Sequence, residues 1–275
     1  MTEAGPPILD SVLIVGCGNM AGAMLDGWLA GGAEPARFTV VDPNDSGQRR
    51  EGVRWLAVAP VDKAFDALLL GVKPQVLATV APTLAPLVSG RTLLLSILAG
   101  VELGVLAEKF PQAGGWVRIM PNLAAALGRS PLALAAQGLG EAECAAVRAL
   151  LDPLGRPEWF GEAEFDAVTA LAGSGPAFVY RFIDALALAG AELGLPRDKA
   201  ARLALATVEG AAALATASPY DPGELARRVA SPGGVTQAGL DVLDEESALN
   251  RLVAHTVRLA AERSAAMTEE ARSPR

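Results

Sequence analysis

Cysteine and histidine are nearly absent from this chain of 275 residues, which holds two cysteines and one histidine. Cys17 and Cys144 lie far apart, without the spacing of a disulfide framework or a zinc site, so neither a stapled secreted fold nor a metal is expected. Two isolated thiols fit a reducing cytoplasm. Basic residues are in deficit as well: 23 Lys and Arg against 31 Asp and Glu leave a net charge of -8, a field that repels nucleic acid and anionic lipid. Apolar stretches are broken by proline, glycine or charge before reaching membrane-spanning length. The opening MTEAGPPILD lacks the basic-then-apolar order of a signal peptide. Neither nucleic acid nor a membrane is expected as a partner.

Against these absences, 51% of the residues are hydrophobic and 20% charged, enough to bury a core; the length suggests two domains. Short β-rich runs at 12–15, 38–41, 67–70, 92–96, 115–119 and 131–135 alternate with helical stretches at 20–30, 74–87, 101–110 and 141–151. That is the order of βαβ units around a parallel sheet, and runs apolar at every position suit strands covered on both faces. Beyond about residue 161 the composition turns to alanine- and leucine-rich segments with helical spacing, at 164–193, 197–217, 222–229, 235–244 and 246–267, with a charged, frayed tail. The expected fold is an α/β Rossmann-like domain over 1–160, doubly wound with a mainly parallel sheet, and an all-α domain over 161–275. Small apolar residues surround much of the later helices, which fits packing against another subunit; a self-contained helical core is the alternative.

The segment LIVGCGNMAGAML puts Val15, Gly16, Cys17, Gly18, Asn19 and Met20 between a strand and a helix. Gly16 permits the tight turn, Gly18 lets a pyrophosphate approach the backbone, and Ala21 is small at the third position of the fingerprint. Free N–H groups of Asn19 and Met20 at the positive helix end complete an anion site. Asp42 follows the second strand, where a carboxylate accepts from the adenosine ribose and repels a 2′-phosphate, favouring NADH. Asn44, Ser46, Arg49 and Arg50 follow, and an arginine from that loop can accommodate the phosphate instead. Three more loops sit at expected carboxyl ends of strands: Gly71, Val72, Lys73 and Pro74; Ile97, Leu98 and Ala99; and Asn122. Lys73 either anchors a ligand by charge or is simply solvated. Asn122 either binds the nicotinamide carboxamide or caps a helix.

In the second half, Gly173, Ser174, Gly175 and Pro176 interrupt a helical stretch where alanine would be more stable by ~1 kcal/mol per glycine, so a close approach is expected there. Ser231 and Pro232 lead into Gly233 and Gly234, then Val235 and Thr236 open a helix and expose backbone N–H groups to a carboxylate. A plain turn capping that helix is the alternative. His255 lies far into the last helix, and no other histidine is available to manage a hydroxyl proton. A protonated imine needs less help, since it already accepts hydride and asks only for a neutral hydrogen-bond partner such as Thr236.

Together VGCGNM, VKPQ, SILAG, MPN, LAGSGPAFVY and SPGGVTQAGL, in this order over about residues 12–267, resemble the pyrroline-5-carboxylate reductase family. The resemblance implies an NAD(P)H-dependent reduction of 1-pyrroline-5-carboxylate to L-proline by a homodimer interlocked through its helical domain, sometimes assembled into decamers. It implies cofactor contacts at Val15 to Met20, Gly71 to Pro74 and Ile97 to Ala99, with substrate carboxylate and ring nitrogen at Val235 and Thr236. MPNLAAA departs from the common MPNTPA, and the stretch before the SPGG turn, at Pro219 and Tyr220, lacks a frequent polar residue. The family preference for NADPH opposes the reading of Asp42. The main rival, a β-hydroxyacid dehydrogenase, needs a lysine in the long helix after its glycines, and residues 173–195 contain none.

Overall fold

The computed structural model describes residues 9–44, 49–61 and 63–272. Its first half is built on β1 (Val12–Val15), α1 (Asn19–Ala30), β2 (Phe38–Val41), β3 (Arg54–Leu56), β4 (Ala67–Leu70), α2 (Leu77–Leu84), β5 (Leu93–Ser96) and α3 (Leu103–Lys109). β6 (Gly115–Met120), β7 (Ser130–Gln137), α4 (Glu141–Leu151) and β8 (Gly155–Trp159) follow. The eight strands lie in the order β3-β2-β1-β4-β5-β6-β7-β8, parallel except where β7 runs against β6. Every residue of β1, β2, β4 and β5 is buried, which explains their unbroken hydrophobicity. Alternation sorts the two faces: Val12, Ile14, Leu69 and Leu95 pack toward α1 and α4, while Leu13, Leu68, Leu70 and Leu94 pack toward α2 and α3. Trp28 of α1 stacks on Phe38 and donates its indole N–H to the Leu150 carbonyl at 2.6 Å, tying α1 to α4.

Two strands escape the hydrophobic pattern. β3 is three residues long with an exposed arginine, and β8 carries Pro157; both are edge strands, where half-solvated and proline-containing segments are tolerated.

The helical half holds α5 (Phe165–Val168), a five-residue π-helical turn at Thr169–Gly173, α6 (Gly175–Glu192), α7 (Arg197–Ala217), α8 (Pro222–Arg228), α9 (Val235–Asp244) and α10 (Ala248–Arg272). Contacts divide the chain differently from a boundary at 160: one compact unit runs to Gly173 and regains the chain from Ala260, and the other is Ser174–Leu259. The cause is that Phe165 and Val168 pack with Ala133 and Ala135 of β7, while Ser264 of α10 donates to Asp166 at 2.7 Å. Nor does the helix stop at residue 267. α10 continues to Arg272, which pairs with Glu102 and Glu269.

Within the second unit, Gly190 lets α6 approach α7, since a Cβ there would lie 3.3 Å from that of Ala200. Only Ala200 and Ala204 are buried among this unit's residues. By length and composition α7 is apolar enough to cross a membrane, despite its charged first turns.

Candidate functional site

β1 is the strand at which the chain order turns, with β2 on one side and β4 on the other, the place where such sheets bind ligands. The loops leaving β1 and β4 press together there. Gly16, at φ +81°, donates to the Val41 carbonyl at 2.8 Å, and a Cβ on it would lie 2.9 Å from the Val72 nitrogen. Gly71 donates to the Val15 carbonyl at 2.8 Å, and a Cβ on it would lie 2.9 Å from that of Ala21. Each glycine is therefore demanded by the other loop, and Ala21, buried, is demanded by Gly71.

Gly18 is different. Its backbone, at φ -74° and ψ -166°, is open to any residue, and nothing lies within 4 Å of where a Cβ would be. No side chain caps α1 and no acidic residue occupies its first turn, so the N–H groups beginning at Asn19 face open space beside an exposed glycine. This cradle fits a pyrophosphate: donors, a positive helix end and a backbone with no side chain over it.

Asp42 sits at the end of β2 with both carboxylate oxygens engaged. Oδ2 accepts the Cys17 N–H at 2.8 Å and Oδ1 accepts the Asn44 N–H at 2.9 Å. It thereby braces the glycine turn. Arg50 gives its guanidinium to Asp26 of α1 at 2.7 and 2.8 Å, and Ser46 lies outside the described residues. Cys17 is buried, and desolvation pushes its thiol up to about 11, with the Asp42 and Asp26 carboxylates adding to the rise and the Arg50 guanidinium opposing it.

On the β4 side Val72 and Pro74 are half-buried and Lys73 is exposed, without an ion pair among the described residues. On the β5 side the Ile97 N–H reaches the Leu70 carbonyl at 3.1 Å, Leu98 is buried, and Ile97 and Ala99 remain half-exposed. Asn122 caps the turn that follows β6. It is 5% exposed, its Oδ1 accepts the Ala124 N–H at 3.0 Å and its Nδ2 donates to the Ala172 carbonyl at 3.1 Å. Its amide thus serves the chain itself through one accepted and one donated hydrogen bond.

Gly173 ends the π-helical turn, and its smallness answers to Met120, whose sulfur would be 3.3 Å from a Cβ. Ser174 precedes α6 and Gly175 begins it with nothing within 4 Å of its Cβ position, so of these two glycines only Gly175 leaves room for a ligand. In the helical unit, Gly233 takes φ +70° and the Gly234 N–H donates to the Ser231 carbonyl at 2.9 Å, closing the turn that delivers α9. No side chain caps α9; Val235 is 94% exposed, and Thr236 is exposed with its hydroxyl unengaged among the described residues. His255 is exposed and bonds Arg258 at 3.0 Å. No cluster of metal-ligating side chains occurs among the described residues.

Sequence reasoning missed Arg118, Glu162, Glu102 and Arg272. Arg118 of β6 is buried, stacks on Phe165 at 4.5 Å and donates to Glu162 at 2.8 Å, while Glu162 also accepts the Leu103 N–H opening α3. These partners are 44 to 170 positions apart, so no local pattern signals them.

A family model for pyrroline-5-carboxylate reductase dimerisation matches residues 162–267, and one described as NADP oxidoreductase, coenzyme F420-dependent, matches residues 11–100. The pyrroline-5-carboxylate reductase of Pseudomonas aeruginosa is 36% identical, over 94% of this chain and 97% of its own. A solved structure of a pyrroline-5-carboxylate reductase from Coxiella burnetii superposes with a TM-score of 0.86 at 26% identity, covering 94% of this chain and 99% of the other. The Plasmodium falciparum pyrroline carboxylate reductase with NADP bound shares the fold, with a TM-score of 0.79 at 24% identity over 95% of this chain and 100% of that one.

Proposed function

Because the chain belongs to the pyrroline-5-carboxylate reductase family, we propose that it reduces 1-pyrroline-5-carboxylate to L-proline with a reduced nicotinamide dinucleotide, the last step of proline biosynthesis. The observation that carries this reading is the open cradle at Gly18, where Gly16 and Gly71 are explained by packing and this glycine is not. Bound there, the dinucleotide supplies a hydride to the imine carbon. The N–H groups of Asn19 and Met20 hold its pyrophosphate, and Val72, Pro74, Ile97 and Ala99 line its path at the β4 and β5 strand ends.

In the helical unit, the N–H groups of Val235 and Thr236 bind the ring carboxylate at the uncapped start of α9. Ser231, Gly233 and Gly234 shape that turn, and Ser174 and Gly175 offer a second uncapped helix start. The Thr236 hydroxyl accepts the N–H of the iminium, which has taken its proton from solvent. As hydride joins carbon, the C=N π pair collapses onto nitrogen and yields a neutral secondary amine, so no side chain need lose a proton. A neutral hydroxyl suits that cation better than a lysine would.

For the cofactor, Asp42 at the end of β2 and the commitment of Arg50 to Asp26 favour NADH over NADPH. The apolar faces of the helical unit take a second copy of this chain, and larger assemblies such as a decamer are built from that dimer. The free thiols of Cys17 and Cys144 support a cytoplasmic site of action.

The test is Thr236→Ala. Losing one hydrogen bond to a cation costs about 1.5–3 kcal/mol, so kcat/KM for pyrroline-5-carboxylate falls about 10- to 100-fold while dinucleotide affinity and oligomeric state stay unchanged. Wild-type kinetics in that variant remove Thr236 from the reaction.

A further inference from the structure

The loop carrying Ile97 and Ala99 is held from two sides. Toward the sheet, Ile97 donates to Leu70 and Leu98 is buried with its N–H on the Ser96 hydroxyl at 3.3 Å. On the other side the loop meets α10. Gly100, at φ +73°, runs so close to that helix that a Cβ would lie 3.1 Å from the Met267 carbonyl oxygen and 3.3 Å from the Thr268 nitrogen. Two residues on, the Glu102 carboxylate receives Arg272 as a fork, Nε at 2.7 Å and the terminal nitrogen at 2.6 Å. Glu269 takes the other terminal nitrogen at 2.8 Å, and Thr268 is buried.

We propose that the Glu102–Arg272 fork and the Gly100–Met267 contact form a clasp by which the end of α10 positions the Ile97–Ala99 loop for the dinucleotide, an inference that rests on the cofactor reading above. Arg272 and Glu102 are positioning residues; neither touches the reacting atoms. Exposure supports a local rather than a global role. Ion pairs reached by solvent add little to stability, and Arg272 is half-exposed, so the pair does not hold the fold together. What it fixes is a loop held by sheet on one side and by α10 on the other. The tie falls on Glu102, at the start of α3 and three residues beyond the Ile97–Ala99 loop.

The experiment uses the full-length protein with Arg272→Ala, Glu102→Gln and the exchanged pair Glu102→Arg/Arg272→Glu. Dissociation constants for NADH and NADPH come from nicotinamide fluorescence, alongside kcat, KM for pyrroline-5-carboxylate and Tm. A loop that contacts the dinucleotide equally in ground and transition states affects binding rather than turnover, so Kd rises about 5- to 10-fold with kcat and imine KM near wild type. The exchanged pair returns Kd to within about twofold, because the fork can form in reverse. Unchanged Kd in Arg272→Ala, or a lowered Tm with unchanged Kd, overturns the clasp. Wild-type protein that binds neither dinucleotide overturns the cofactor reading instead, which keeps the two failures distinct.

Discussion

Gly18→Val separates a glycine kept for a ligand from glycines kept for the fold. In the free protein a Cβ at this position meets no atom within 4 Å, and the extended backbone is one that valine adopts readily. Restricting the unfolded chain stabilises by about 0.4–1 kcal/mol, and replacing glycine by valine before a helix costs a similar amount. With about 2–4 °C of Tm per kcal/mol, the melting temperature stays within about 2 °C of wild type. Binding responds otherwise. An isopropyl group over the N–H groups of Asn19 and Met20 displaces the pyrophosphate from two charge-assisted hydrogen bonds worth about 1.5–3 kcal/mol each. The sum corresponds to a loss of about 10²- to 10⁴-fold in affinity, read by fluorescence titration of either reduced dinucleotide. Gly16→Ala is the opposite control. Left-handed backbone costs about 1–2 kcal/mol for an L-residue, and the new methyl overlaps Val72, so Tm falls by several degrees. A Gly18→Val protein with Kd within about threefold of wild type refutes the phosphate assignment, since threefold is under 1 kcal/mol and no displaced pyrophosphate loses so little.

Asp42→Asn keeps an acceptor for the turn and removes the charge. At an effective dielectric of ~20 two unit charges about 5 Å apart repel by about 3 kcal/mol, so removing the carboxylate charge raises the NADPH to NADH ratio of kcat/KM by about tenfold or more; a ratio that does not move shows that Asp42 does not discriminate. With its thiol at about 11, Cys17 is ionised to about one part in a thousand at pH 8, so iodoacetamide inactivates the folded enzyme slowly. Fast, dinucleotide-protected alkylation mapped to Cys17 contradicts the buried placement.

Much of the first unit was legible because its strands are buried on both faces and written as solid apolar runs. β1, β2 and β4 have the expected bounds, and the turn between β1 and α1 declares itself by two glycines at a strand end. β3 and β8 were not legible, since an edge strand needs neither continuous apolarity nor freedom from proline. Asn122 was legible only as a pair of alternatives, of which the cap is formed through the alanine nitrogen two residues on, while its bond to the Ala172 carbonyl fifty residues away had no local signal. The Glu102–Arg272 fork had no signature at all, because a pairing across 170 positions is a property of the fold and not of any window of sequence.

The helical unit carries a further consequence for how activity depends on assembly. Nineteen of the 26 exposed large hydrophobic side chains lie in Ser174–Leu259, including Tyr180, Phe182, Leu203 and Leu252, while only two small residues there are buried. Fully covering a side chain of that size contributes about 1.5–3 kcal/mol, so a partner surface over even a third of them is comparable with the whole stability of a domain. With so little core of its own, the unit's stability is linked to its association with a second copy. Val235 and Thr236 belong to this unit, so on the reading proposed above dilution that separates the subunits abolishes imine reduction while dinucleotide binding at the Gly18 cradle survives; kcat/KM that stays constant through dissociation, followed by light scattering, refutes that dependence.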